Sequence, residues 1–178
     1  MTFSWNNALM DQLTYAWEYQ FLPRLQGLTD EEHLWEPVAN CWSVREVADG
    51  HWQQDLSATE PDPAPFTTIA WRLAHIATIF GARASNHFGD GSFVPDAVPW
   101  TGTAGNAVEI VTAEYERWCD GVRSLGEEGL FRPCGPAEGP FAEEPLLTLV
   151  LHIHREFLHH AAEVALLRDL YRDMPRLD

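Results

Sequence analysis

One segment near the C-terminal end concentrates ionisable side chains at helical spacing. From Leu151 it runs Leu-His-Ile-His-Arg-Glu-Phe-Leu-His-His-Ala-Ala-Glu-Val-Ala-Leu-Leu-Arg-Asp-Leu-Tyr. Helical residues advance about 100° each, so the faces can be computed. Leu146, Leu149, Ile153, Phe157, Val164, Leu167 and Tyr171 fall within roughly 60° of one line and form the expected core stripe. His160 lies at the centre of that stripe. Glu156 lies about 40° away and one turn earlier, and Glu163 about 60° away and almost one turn later. His152 and His159 fall at the flank, while His154 and Leu158 point away.

One histidine and two glutamates therefore share a face that should be apolar. Burying such groups without partners costs several kcal/mol or forces a large pKa shift. A divalent cation compensates them, because imidazole and carboxylate are both ordinary ligands and an i, i+4 pair reaches one ion. The competing explanation is a core histidine hydrogen-bonded to a glutamate on the next turn. Glu156-x-x-His159 also matches half of a di-iron carboxylate motif, but no second E-x-x-H occurs on another helix.

A further ligand candidate comes from Thr67-Thr68-Ile69-Ala70-Trp71-Arg72-Leu73-Ala74-His75-Ile76. His75 shares an apolar face with Trp71, Ile79 and Ala82 and should point inward. Two inward histidines on two helices, with a carboxylate one turn from one of them, favour a metal. His87, near the end of its helix, is read as structural, since a cation is favourable there. His33 and His51 lie in a long connection and no spacing singles them out.

Four segments position these groups. The first spans about Ser4 to Leu22, with Ser4 as N-cap and Pro23 as stop. Trp5, Leu9, Leu13, Ala16 and Trp17 recur along it at three- and four-residue steps. The second starts near Thr67 or Thr68 and reaches about Phe88, closed by Gly89 and Gly91. The third covers about Thr103 to Leu125, with Val108, Val111, Tyr115, Trp118, Val122 and Leu125 as its seam. The fourth starts at Pro145 and runs to about Arg172, before Pro175. This pattern predicts an all-α protein, an antiparallel four-helix bundle forming a single domain over residues 1–178. The connection Gln26 to Phe66 carries Trp35, Trp42 and Trp52 and should fold back on the bundle. Ser43-Val44-Arg45-Glu46 fits a capping box there, and the Trp42, Val44 alternation fits a strand equally well. Gly126 to Glu144 is expected to be an ordered loop.

Composition excludes several classes of function. The 178 residues carry 11 Lys and Arg against 27 Asp and Glu, a net charge of −16. Sequence-independent nucleic-acid binding, which needs cations on phosphates, is excluded, and docking on an anionic membrane is disfavoured. No apolar run is long enough to span a bilayer. The first residues lack the basic start and apolar stretch of a signal peptide, so a cytoplasmic location is expected. Cys41, Cys119 and Cys134 form no C-x-x-C, so no thiolate zinc site is indicated.

The stretch T-T-I-A-W-R-L-A-H-I, followed later by H-I-H-R-E-F-L-H-H-A-A-E-V-A-L-L-R-D-L, resembles the DinB-like superfamily of metalloenzymes. That resemblance covers most of the chain. It implies a four-helix bundle, often dimeric, with a histidine ligand on the second helix and an H-x-x-x-H pair on the last. It also implies thiol-dependent transferases using mycothiol or bacillithiol as one possible activity. Position by position, His75 matches the second-helix ligand and His160 the second histidine of the pair. Glu156 stands where the first would be, which adds negative charge and weakens the ion as a Lewis acid. Many members place a further histidine eight residues after a Trp-Ser. Here that position is Gly50, with His51 one residue late, so His75 is preferred and His51 is the reserve.

The expected metal set is His75, Glu156 and His160 around a divalent ion (Zn, Ni or Mn), with an open position for water or thiolate. Glu163 is expected to orient a ligand or act as general base. The reactions consistent with this are hydrolysis and thiol S-transfer on a small-molecule substrate, in a homodimer. The alternatives are a non-catalytic bundle with a hydrogen-bonded polar face, and an acidic interaction module.

Overall fold

The computed structural model describes residues 3–59 and 61–174. Ser4 caps the first helix, its hydroxyl accepting from the Asn7 amide at 3.1 Å. That helix, α1, spans Trp5–Tyr15. It does not stop at Pro23. A π-helical turn, Ala16–Phe21, leads into α2, Leu22–Leu25, which contains the proline. Pro23 has no N–H for the Tyr19 carbonyl. The wider turn before it, closed by the Leu22 N–H on the Trp17 carbonyl, lets the helical path continue. Leu13, Ala16 and Trp17 are buried as expected, but Trp5 is exposed and packs edge-on against Phe3.

The long connection is ordered in pieces. A short helix, α3, spans Asp30–Leu34, capped by Thr29. Strands β1 (Val44–Ala48) and β2 (His51–Gln54) form an antiparallel hairpin. Asp49 and Gly50 both have positive φ at its turn, the geometry an Asp-Gly pair favours. Val44 therefore opens a strand as the alternation allows, while Trp42 lies just before it and makes an isolated parallel bridge with Thr67. Ser43 caps no helix; its amide donates to Asp55 and its hydroxyl accepts from Thr68. The three tryptophans fold back as expected. Trp35 meets Tyr171, Trp42 meets Trp71, and Trp52 covers Gly102, where a Cβ would strike its ring.

The remaining helices are α4 (Ile69–Phe88, capped by Thr68 and ended by Gly89), α5 (Ala104–Leu130, capped by Thr103) and α6 (Leu146–Asp173). Helix α5 passes the expected end at Leu125, because Gly126 absorbs a kink at φ 58° and helical turns resume. Pro145 is the extended residue before α6 rather than its first helical one. Pro175 lies outside the described residues.

Pairwise contacts give the helix directions. Trp17 stacks on Tyr115 at 3.8 Å and Asn6 donates to the Val122 carbonyl, so α1 and α5 are antiparallel. Arg72 meets Glu163 and His75 meets His160, so α4 and α6 are antiparallel. In contrast, α4 and α5 run parallel. Gly81 lies against Glu114, and seven residues on, Gly121 lies against Phe88. The bundle is thus all-α and four-helical, but not alternately antiparallel. The segment 89–103 crosses back along it; fifteen extended residues reach about 50 Å, ample for a 20-residue helix about 30 Å long. Trp118, Phe80, Phe21 and Phe157 fill the centre and are almost fully buried. No helix among the described residues is long and apolar enough to cross a membrane.

Candidate metal centre

The first turn of α4 is fixed from outside the helix. Thr68, fully buried, accepts from the Trp71 amide at 3.2 Å. The Trp71 indole donates to the Asp55 carbonyl at 2.8 Å. That anchored ring stacks on His75, with centroids 4.9 Å apart and planes 10° from parallel. The Arg72 guanidinium lies 5.1 Å from the centre of the same ring, a cation–π contact. Connection, helix cap and aromatic ring together hold His75 toward α6.

On α6 the helical spacing brings Glu156, His160 and Glu163 to one flank of the α4 contact. His160 is buried, and its ring meets His75 edge-on at 4.6 Å. Its Nε2 lies 3.8 Å from Glu156 Oε2. Its Nδ1 lies 2.7 Å from Glu163 Oε2, and the same oxygen is 3.0 Å from Arg72 Nη1. Candidate ligand atoms of His75, Glu156 and His160 lie within 4.8 Å of one another. A second grouping, His159, His160 and Glu163, meets the same distance test. Its His159 is 64% exposed.

The electrostatics suit a cation. Burial first, then the neighbouring His160 and Arg72, push His75 down to about 4, against a weaker pull from Glu156 and Glu163. His75 is therefore neutral at pH 7 with a lone pair to give. Burial alone would raise Glu163. The His160 hydrogen bond and the Arg72 charge outweigh it and hold this carboxylate below its usual value. Arg72 is lowered by burial, opposed by Glu163. Two imidazoles and a carboxylate, converging with a second carboxylate behind one imidazole, fit a divalent ion.

The other histidines separate cleanly. His51 sits on β2, exposed, outside both groupings. The His87 side chain is buried with Nε2 2.8 Å from Glu138 Oε1, so a carboxylate partners it in addition to the helix end. His154 does not point to solvent. It is buried, 6.3 Å from the Trp118 ring, and burial lowers it to about 4. Helix α6 packs against α5 as well as α4, so its buried arc is wider than the computed stripe. Arg72 was not among the sequence candidates. Its signal was there: a cation three residues before His75 on a largely apolar helix.

The geometry defines a helical bundle with a two-histidine, one-glutamate constellation between its second and last long helices. The chain matches the DinB superfamily over residues 12–164 and belongs to that superfamily. Comparison with curated proteins and with solved structures gives no match.

Proposed function

We propose that the protein is a metal-dependent enzyme whose ion is held by His75, Glu156 and His160. The observation that carries this reading is the convergence of His75, Glu156 and His160, whose candidate ligand atoms lie within 4.8 Å of one another, with Glu163 and Arg72 both packed at His160 Nδ1, at 2.7 and 3.1 Å. That is the arrangement of a metal-binding histidine backed by a carboxylate. Three protein ligands leave a position for substrate. When bound, the ion supplies Lewis acidity and lowers the pKa of a water or thiol placed on it. The chain's own groups do the positioning. Glu163 and Arg72 meet at His160 Nδ1 and fix its ring, Arg72 also holds Glu163, and Trp71 shields one face of His75 from water. Glu163 is thereby a positioning residue in preference to a general base, since both its neighbours draw on its anionic form.

Hydrolysis and transfer of a low-molecular-weight thiol both suit this centre, with mycothiol- or bacillithiol-type transfer suggested by the family. Elemental analysis of freshly purified, untagged protein tests the reading. A stoichiometric ion (Zn, Ni or Mn) is expected. The competing reading, a metal-free hydrogen-bonded face, draws on the same Arg72–Glu163–His160 chain. Metal-free protein whose stability ignores added metal would favour it.

A further inference from the structure

The row of polar groups on α6 does not end at Glu156. Because α4 and α6 are antiparallel, the register that pairs His75 with His160 places Arg83 level with His152, eight residues along each helix. Arg83 and His152 do line one cavity, of about 760 Å³. That volume lies within the about 300–1,000 Å³ typical of small-molecule sites. From His160 the lining runs along α6 through Arg155, His152 and Leu149 to Thr148, twelve residues and about 18 Å of helix. Its near end touches that site: Arg155 Nη2 lies 3.5 Å and His152 Nδ1 3.7 Å from Glu156 Oε1.

The walls are unlike one another. Leu149, Leu151 and Phe141 give an apolar surface, with Leu149 buried as its floor. Of the charged lining, the Glu138 side chain is buried between Arg83 at 3.0 Å and His87 at 2.8 Å, and its pair with Arg83 neutralises both. Glu144 sits exposed on the loop wall. Arg155 is 71% exposed and donates to His152 Nδ1 at 2.6 Å. Its one carboxylate contact, Glu156, is long at 3.5 Å and uses Nη2, so Nε and Nη1 face solvent as the donors most accessible to a ligand. An exposed arginine beside an apolar cavity suits bidentate capture of a carboxylate.

We propose that this cavity binds the body of a small organic carboxylate, with the carboxylate on Arg155 and His152 and the apolar part against Phe141, Leu149 and Leu151. The proposal rests on the metal-enzyme reading only in making this ligand the substrate; the binding itself needs no ion. It also accounts for a cationic end on a chain of net charge −16: the local fork must overcome a repulsive field, which selects ligands that also fill the apolar part.

The test is calorimetry with a matched pair of probes, phenylbutyrate and its neutral analogue phenylbutanol. The expected result is binding of phenylbutyrate at least roughly tenfold tighter than phenylbutanol. Arg155→Gln should bring the two level. Phe141→Ala, at an exposed position that the fold tolerates, should weaken both. The preference should persist in His160→Ala, which lacks a candidate metal ligand. Equal affinities in the wild type, or no binding of either up to about 10 mM, would overturn the proposal. So would a preference that survives Arg155→Gln, or one that vanishes in His160→Ala, since the carboxylate would then be reading an ion. A preference retained in protein shown to be metal-free upholds the cavity and removes the metal reading, so the two fail separately.

Discussion

Glu163 Oε2 stands 2.7 Å from His160 Nδ1 and 3.0 Å from Arg72 Nη1, so one carboxylate oxygen couples an imidazole on α6 to a guanidinium on α4. The coupling holds the His160 ring in place, with Arg72 Nη1 also 3.1 Å from Nδ1. Glu163→Gln should therefore lower metal affinity by about 10–100-fold, as loss of an outer-shell partner does. His159→Ala, on the exposed flank, should change it little. Competition with a chromophoric chelator measures both. Equal losses in the two variants would point to the His159, His160, Glu163 grouping instead.

Much of this centre was legible from angular arithmetic. A 100° step placed His160 on the core line with Glu156 and Glu163 beside it, and the structure keeps all three on the α4 contact. What failed were properties set by partners. His154 is buried because α5 covers a second flank of α6, which one helix's pattern does not reveal. The π-helical turn before Pro23 and the kink at Gly126 keep helices going past residues that usually end them. Arg72 gained its role only when Glu163 arrived from α6. The parallel pairing of α4 and α5 depends on a crossover that carries no periodicity.

Acid should destabilise the protein through its buried histidines. Burial depresses His154 to about 4, and His33 likewise, the latter opposed by Asp30. Unfolded histidine titrates near 6.5, so below that pH the unfolded chain takes up protons that the folded chain refuses. Stability present above pH 6.5 should fall as pH drops toward 4. Each group contributes on the order of 3 kcal/mol at most. Urea denaturation at several pH values measures this. His154→Phe should flatten the slope, and an unchanged slope would remove His154 as a contributor.

Gly121 permits α4 and α5 to approach closely, since a Cβ there would overlap the Phe88 ring. Gly121→Ala should cost about 1–3 kcal/mol through overpacking, despite alanine's better helix propensity. Thermal unfolding reads the change. A stabilised variant would mean that Phe88 swings aside freely.

A homodimer is proposed to use the outer face of α6 beyond the cavity, where Leu158 and Leu166 are about half exposed, with Ala162 between them. Leu158→Glu should then yield monomers. Light scattering at micromolar concentration tests it, and a monomeric wild type would contradict it.

The central claim is that His75, Glu156 and His160 converge on an ion only in the folded bundle. The most direct measurement is the melting temperature with and without a chelator, in the wild type and in His160→Ala. At free metal about a hundred times its dissociation constant, binding adds about 2.7 kcal/mol to the folded state. The chelator should therefore lower the wild-type melting temperature and leave His160→Ala and His75→Ala unmoved, while His51→Ala responds as the wild type does. A wild-type melting temperature indifferent to both metal and chelator would contradict the account.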